Sequence, residues 1–329
     1  MPPLHINIAT SDYDHIRDIP LGRVPIEGAT FNYQIYPIEE TFYRFVHYRE
    51  WDVSEMSFGK FASIMAEDDP DIIGLPIFTA RMFRQSSTYV RKGGGIESGA
   101  DLRGKRVGVP EWAQTAAVYT RGWLTDDLDI PLSEIEWFQA GLNEPGRREQ
   151  VELHLPDDCS LTPVPDKSLK DMLQAGELDA FFAARPPVGM DAPDSMIEPL
   201  FADGPAEEAA YYKQSGIFPI MHTVAMRRDV YEANPWLAQN LLKAFNQARD
   251  MSLARIFDRQ TSRFMVPWFV DFAEAQKELL GADFFPYGLE ENRKTLEVYL
   301  RWCHEQGIAR RLLSPDELFA PETRTAFKV

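Results

Sequence analysis

The sequence predicts an α/β protein built as two lobes with a ligand cleft between them. The chain has 329 residues, and at roughly 150 residues per domain this length predicts two domains. Segments of strand and helix character alternate in two separate blocks, an order typical of a parallel sheet with helices on its faces. A flexible GGG joint at 93–95 separates the two blocks.

The first block runs from the N-terminus to about residue 92. Alternating or continuous apolar runs predict its strands, and apolar residues at helical spacing predict its helices. In chain order the prediction is strands at 4–8 and 31–38, a helix at 39–51, a short strand ending near Val53, a turn holding Ser54, Glu55 and Ser57, a helix at 58–66, and strands at 71–78 and 83–92.

The second block repeats this order after the glycines. The prediction is a turn at DLRGK, a strand at RVGVP, a helix over EWAQTAAVYTRGWL, a strand at 135–141, a helix and strand within 168–187, and a short strand at 196–201. A strand-like run at 218–226 then returns to the first lobe, and the remainder is predicted to be mostly helical. We therefore expect lobe 1 to hold 1–95 and 220–329, and lobe 2 to hold 96–219.

Charge and cysteine content exclude several classes of protein. Lys and Arg total 34 against 51 Asp and Glu, a net charge of −17 that disfavours nucleic acid and anionic membranes as partners. An anionic small ligand stays compatible, because a local arginine cluster can reverse the field inside one cleft. Two cysteines, Cys159 and Cys303, exclude a disulfide framework and a cysteine-based zinc site. With no basic leader and no bilayer-length apolar stretch, a cytoplasmic protein is expected.

Several segments resemble the type II periplasmic-binding-protein fold. They are DLRGKRVGVP with its following helix, LDAFFAARPP, and HTVAMRRDVYEANPWLAQNLLKAF. A closer resemblance, to the 4,5-dihydroxyphthalate decarboxylases of this fold, lies in EMSFGKF, PIFTARMFRQSSTYV, GVPEWAQTAAVYTRGWL and GIFPIMHTVAMRRDVYEANPW. It implies non-oxidative loss of CO2 from a hydroxylated aromatic dicarboxylate such as 4,5-dihydroxyphthalate, which would give protocatechuate.

Candidate substrate-binding residues follow the predicted strands, because ligands of open α/β sheets bind beyond the carboxyl ends of strands. Arg81, Arg84 and Arg185 are candidate carboxylate clamps, since arginine supplies planar bidentate donors; the alternative is ion-paired surface arginine. Gln114 and Thr115 open a predicted helix whose free backbone N–H groups suit an oxyanion, although Thr115 could simply cap that helix.

Two histidines and an aspartate are the candidate catalytic residues. His15 follows the first strand and His222 lies near the return crossover; histidine suits proton transfer near neutral pH. The alternative for His222 is a buried, hydrogen-bonded core histidine, and Asp12 could instead cap a helix. Glu55 and Ser57 are assigned to substrate binding, although serine in such a turn more often bonds backbone.

The leading hypothesis is a cofactor-independent decarboxylase acting on a small aromatic carboxylate. No metal ligands are assigned: SDYDH at 11–15 offers two carboxylates and an imidazole but lacks HxH or HExxH spacing, and the need for a divalent metal is left open. A solute-binding protein for a carboxylate is the first alternative. The second is a pyrimidine-precursor enzyme of the same fold, which the positions of both cysteines outside the predicted cleft weaken. The oligomeric state is left open, a homo-oligomer included.

Overall fold

A computed structural model describes residues 2–324. The strands are β1 (Leu4–Thr10), β2 (Ala29–Ile35), β3 (Val53–Ser57), β4 (Ile72–Arg81), β5 (Thr88–Arg91), β6 (Arg106–Val109), β7 (Glu136–Gly141), β8 (Leu161–Ser168), β9 (Ala180–Phe182), β10 (Ile197–Pro199) and β11 (Ile220–Arg227). The helices are α1 (Ile38–Tyr48), α2 (Phe58–Met65), α3 (Thr115–Asp127), α4 (Leu169–Ala175), α5 (Gly204–Ser215), α6 (Arg228–Ala233), α7 (Trp236–Ile256), α8 (Phe269–Leu280), α9 (Arg293–Glu305) and α10 (Pro315–Leu318).

These strands form two sheets. The first has the order β2-β1-β3-β11-β4, and the second has the order β10-β5-β9-β6-β7-β8. The chain therefore passes from the first sheet to the second between β4 and β5, and returns between β10 and β11. The lobe boundaries expected near 95 and 220 stay a prediction.

Both sheets are mixed, whereas the sequence analysis expected parallel ones. β1 runs parallel to β2 and β3, but β11 runs antiparallel to both β3 and β4. In the second sheet β5 runs antiparallel to β9 and β10. The antiparallel strands β5 and β11 are the first strands after the chain crosses from one sheet to the other. At these crossings no βαβ unit fixes the strand direction.

The predicted turn after Val53 is wrong in an informative way. Ser54, Glu55 and Ser57 lie inside β3, and every residue of that strand is buried. β3 is a central strand, flanked by β1 and β11. Polar residues at such a position indicate turns in a sequence, but here they form the buried polar centre of the site described below.

Two further strands differ from the prediction. The run at 83–92 is a strand only over Thr88–Arg91, because a short 3-10 turn occupies Gln85–Ser87. β8 was not predicted at all. It contains Pro163 and Pro165, which argue against a strand in the sequence, and proline is tolerated there because β8 is an edge strand.

The two lobes meet where α2 packs against the start of α3. Gly59 in α2 approaches the backbone so closely that a Cβ atom there would overlap the Ala113 carbonyl oxygen. The Tyr299 ring stacks between Phe58 and Tyr119, with ring centroids 5.0 and 4.6 Å away. This packing holds the carboxyl end of β3 against the second lobe. Within residues 2–324 there is no helix of the length and apolar character needed to cross a membrane.

Candidate active site

Glu55 is the centre of a buried polar cluster in the first sheet, near the edge at which β1, β3 and β4 end. Its side chain is fully buried. Its Oε1 atom accepts hydrogen bonds from the Tyr13 hydroxyl at 2.7 Å and the Thr79 hydroxyl at 2.8 Å, and lies 2.9 Å from Nδ1 of His222. Its Oε2 atom accepts from the Ser11 backbone N–H at 2.9 Å. The carboxylate is thus bonded by the loop after β1, by β4 and by β11.

These hydrogen bonds keep Glu55 ionised. Burial by itself would raise the pKa of Glu55, but the bond and charge of His222, with the bonds from Ser11 and Tyr13, hold that pKa below its ordinary value. Burial raises the pKa of Tyr13 above its ordinary range, and the charge of Glu55 raises it further. Tyr13 therefore stays protonated and acts as a donor.

An ionised Glu55 determines which nitrogen of His222 carries the proton. A carboxylate only accepts hydrogen bonds, so Nδ1 of the ring at 2.9 Å must be the donor. In the neutral imidazole Nε2 is then unprotonated, and no residue between 2 and 324 gives it a hydrogen bond. The His222 side chain is 16% exposed, and the Phe42 ring stands edge-on to it at a centroid distance of 4.9 Å. This is the arrangement of a general base that a carboxylate orients.

Strand pairing explains how His222 reaches this position. In β11 it pairs with Ser57 at the end of β3 and with Ala80 near the end of β4. The register with β4 shifts on both sides of His222. Such bulges redirect a side chain, and they are frequent next to active sites.

His15 and Asp12, the other predicted catalytic residues, lie in different surroundings. The His15 ring packs between Tyr13 and Phe285, with both ring centroids 5.1 Å away. Burial lowers the pKa of His15 to about 4, and its Nε2 is buried without a hydrogen-bond partner among the described residues. Asp12 is exposed. The cluster around Glu55 therefore includes His222 but neither of these side chains as a hydrogen-bond partner.

Arg84 is a buried cation with poor acceptors. It is 5% exposed, and no carboxylate of the described residues lies within ion-pair distance. Nη1 donates to the Ala184 carbonyl at 3.1 Å, Nε lies 3.0 Å from the Met221 sulfur, and Nη2 lies 3.8 Å from the Met82 sulfur. Thioethers are weak acceptors. Burial lowers the pKa of Arg84 to about 10, so it remains charged at neutral pH.

Arg81 is buried too, but its guanidinium group donates hydrogen bonds to oxygen atoms of the protein. It donates to the Phe218 carbonyl at 3.1 Å, to the Pro286 carbonyl at 2.8 Å, and to the Asn292 side chain. Burial lowers its pKa to about 10. These contacts tie the end of β4 to the segment before α9.

Arg185, the third predicted clamp, has a side chain that is 64% exposed. It is 3.4 Å from Glu39 at the start of α1. Arg147 pairs with the same Glu39 at 3.5 Å and with Glu111 at 2.8 Å, and Lys60 pairs with Glu111 at 3.1 Å. These ion pairs join the two lobes around a pocket of about 360 Å³ that has Phe42 in its lining. Neither this pocket nor a larger cavity of about 860 Å³ beside α7 has any of the predicted site residues in its lining.

Ser57, Thr115 and Gln114 lie at the junction between the lobes. The Ser57 and Thr115 hydroxyls are 2.9 Å apart, and the Thr115 hydroxyl also accepts from the Gly59 N–H at 3.0 Å. The Gln114 side-chain oxygen is buried and has no partner within residues 2–324. The two hydroxyls bond to each other across the lobes.

The sequence analysis did not select several residues of the cluster around Glu55 and His222 or of the pocket beside Phe42. Tyr13 lies in the SDYDH segment at 11–15, and Thr79 directly follows the strand predicted at 71–78, but neither was selected. Phe42 was one of the apolar residues at helical spacing that predicted the helix at 39–51. Lys60 and Arg147 carried no signal, because their neighbours depend on how the lobes meet.

The two mixed sheets define a two-lobe α/β protein, and a buried carboxylate–histidine pair lies in its first sheet. The fold resembles the periplasmic aliphatic sulphonate-binding protein SsuA from Escherichia coli, at 12% identity and a TM-score of 0.52, covering 98% of this chain and 99% of that one. A putative SsuA from Methylobacillus flagellatus gives 13% identity and a TM-score of 0.54, covering 98% and 92%. These likenesses concern the fold alone, and they confirm the predicted periplasmic-binding-protein-like class.

Sequence relatives identify the family. A protein from Comamonas testosteroni named 4,5-dihydroxyphthalate decarboxylase is 34% identical over 330 residues, covering all of both chains. A protein of the same name from Pseudomonas putida is 34% identical over 214 residues, covering 65% of this chain and 83% of that protein. No protein-family model matches the chain. The chain belongs to the 4,5-dihydroxyphthalate decarboxylase family, which confirms the family predicted from the sequence and favours a carboxy-lyase over a solute-binding protein.

Proposed function

We propose that this protein catalyses the non-oxidative decarboxylation of 4,5-dihydroxyphthalate or a closely similar hydroxylated aromatic dicarboxylate, releasing CO2 and protocatechuate. The observation that carries the proposal is His222, whose Nδ1 lies 2.9 Å from the buried Glu55 carboxylate. The full-length similarity to a protein of that name supports the choice of substrate.

The chemistry needs one acid–base group beside the substrate hydroxyl. Direct loss of CO2 would leave an aryl carbanion in the ring plane, which no ring π-system stabilises. His222 instead takes the proton of the hydroxyl para to the departing carboxylate, and the ring carbon that bears this carboxylate is protonated from solvent. The C–C bond then breaks, its electron pair restores the aromatic ring, and the phenolate recovers its proton from His222. One proton is consumed for each CO2 released.

Arginines and the polar groups at the junction bind the substrate in this proposal. We assign one carboxylate to Arg84, because a buried guanidinium with weak acceptors gains most from an anionic ligand. Arg185 attracts the approaching dianion, and Arg81 supports the wall of the cleft.

Three smaller polar side chains complete the binding surface that we propose. They are Ser57, Gln114 and Thr115. The unpaired oxygen of Gln114 is available to a substrate hydroxyl. The helix start at Thr115 supplies backbone N–H groups to an oxygen anion.

The test is incubation of the purified protein with 4,5-dihydroxyphthalate, following CO2 release and the aromatic product by chromatography. Stoichiometric CO2 and protocatechuate are expected from wild-type protein, and neither from His222→Asn. Tight binding of the diacid by the wild type without CO2 release, with or without added divalent metal, would favour the solute-binding alternative.

We also propose that the protein is a cytoplasmic homo-oligomer. Cys159 and Cys303 are free buried thiols, which suits a reducing compartment. Met265, Trp268 and Phe272 are 100%, 80% and 66% exposed, and exposed apolar side chains on one segment are typical of association surfaces. Cell fractionation tests the location. Light scattering of wild type and Trp268→Glu tests the assembly, which the substitution should weaken.

A further inference from the structure

We infer that Glu55 is a positioning residue of the reaction, which fixes the tautomer and orientation of His222 and does not contact the substrate. The inference rests on the proposed function, because it assigns Glu55 a role through the acid–base group named there. It differs from the substrate-binding role that the sequence suggested for Glu55.

First, both Glu55 oxygens are buried and already accept hydrogen bonds from the protein. The carboxylate has no exposed surface, and four donors of the protein are directed at it. Three of these donors share Oε1, at 2.7 to 2.9 Å. A substrate could reach Glu55 only after displacing one of these donors.

The second step is that these contacts select one state of the His222 ring. The other neutral tautomer would direct the Nδ1 lone pair at a carboxylate oxygen 2.9 Å away, which is repulsive. The Tyr13 hydroxyl is 3.3 Å from the same Nδ1 but 2.7 Å from Glu55, so its proton goes to the carboxylate. Only the ring with hydrogen on Nδ1 satisfies all three groups.

The third step is that Oε1 is itself held in place. Tyr13 lies in the loop after β1 and Thr79 lies in β4, so their hydroxyls approach the oxygen from two different segments of the chain. On the other side of the His222 ring, Phe42 blocks rotation away from Glu55. The carboxylate therefore fixes the orientation of the ring before any substrate arrives and leaves Nε2 without a hydrogen bond from residues 2–324, which reduces the reorganisation that proton transfer requires.

The decisive experiment compares wild type with Glu55→Gln. Because the amide lacks the charge that holds the Nδ1–H tautomer, kcat should fall by about 10²–10⁴-fold while KM stays within about threefold. Asp18→Asn is the matched control, because Asp18 is another fully buried carboxylate of the first sheet's lobe, bonded by Arg23 and Arg255. This control should lose stability and keep its kcat within about twofold.

A second measurement keeps the inference testable even if Glu55→Gln does not fold. Histidine labelled with ¹⁵N, assigned through His222→Asn, reports which ring nitrogen carries hydrogen in the wild type. We expect Nδ1–H in the neutral ring, and an Nε2–H tautomer would overturn the inference. Unchanged kcat in a folded Glu55→Gln would also overturn it. Wild-type protein that releases no CO2 would contradict the proposed function instead, and the tautomer would remain measurable.

Discussion

The cluster around Glu55 and the surroundings of Arg84 are both buried and charged, but they differ in how the protein satisfies them. Glu55 accepts four hydrogen bonds at 2.7 to 2.9 Å. Arg84 has one carbonyl at 3.1 Å, a distant hydroxyl and two thioethers. The first region is complete without a ligand, whereas the second has a charge that no described carboxylate neutralises.

This difference separates two tasks of an enzyme. A complete hydrogen-bond network holds a catalytic group rigidly, so changes there should affect the rate of the chemical step. An unneutralised buried cation is costly in the free protein and is repaid when an anion binds, so changes there should affect affinity. The predictions below test this division, in order of expected effect.

The largest effect is expected from His222→Asn. Loss of the acid–base group should lower kcat by about 10²–10⁴-fold, with KM within a few fold, because the substrate carboxylates are held elsewhere. Steady-state kinetics with CO2 detection measures both constants. A variant in which KM rises and kcat is preserved would place His222 in binding and contradict the division.

His15 provides a pH-dependent contrast, because its buried ring has a pKa of about 4. The unfolded chain binds a proton at this residue below about pH 6.5, and the folded protein does not, so stability falls as pH drops from 6.5 towards 4. The shift corresponds to about 3 kcal/mol of unfolding free energy. Urea unfolding at several pH values should show a correspondingly smaller loss in His15→Asn than in wild type.

The exposed His5 on β1 is the control for this measurement. His5→Asn should keep the wild-type acid sensitivity. Equal pH dependence in His15→Asn and the wild type would mean that His15 is not held neutral by burial.

Arg84→Leu tests the second region. An unpaired substrate carboxylate costs about 2–3 kcal/mol, so KM should rise by about 30- to 150-fold with a smaller change in kcat. Removing an unneutralised cation should also leave the free protein as stable as the wild type or more stable, unlike a change at Glu55. Kinetics and urea unfolding of the same variant decide both points. Strong destabilisation with unchanged KM would make Arg84 a structural residue.

The sequence predicted most elements of the fold because periodicity and turn residues are local signals. It did not predict β8, whose prolines are acceptable only at a sheet edge, and strand position is not local information. It also placed Glu55 in a turn, because a carboxylate in a central strand is unfavourable until partners from other strands surround it.

The candidate site was predicted only in part, because the sequence shows residue types and local positions but not tertiary contacts. Histidine and arginine near strand ends indicated His222 and Arg84 by type and place. The sequence predicted the same role for Arg81 and Arg84, which are three residues apart. Only the tertiary contacts distinguish them: Arg81 donates to two backbone carbonyls, whereas Nε of Arg84 faces the Met221 sulfur. The contact between Glu55 and His222 joins residues 167 positions apart, which one sequence cannot reveal.

The smallest effect is expected from Arg185→Gln. Its guanidinium is 64% exposed and 3.4 Å from Glu39, and such exposed pairs contribute about 0.2–1 kcal/mol. Its charge still acts on an approaching dianion, so kcat/KM should fall by about two- to fivefold at low ionic strength, and the difference should vanish in high salt because counterions screen it. Arg103→Gln is the control, since this exposed arginine, which precedes β6, pairs with Glu134 and not with Glu39. A salt-independent loss of tenfold or more in Arg185→Gln would instead make Arg185 a direct carboxylate ligand, and would move the anion site from Arg84 to Arg185.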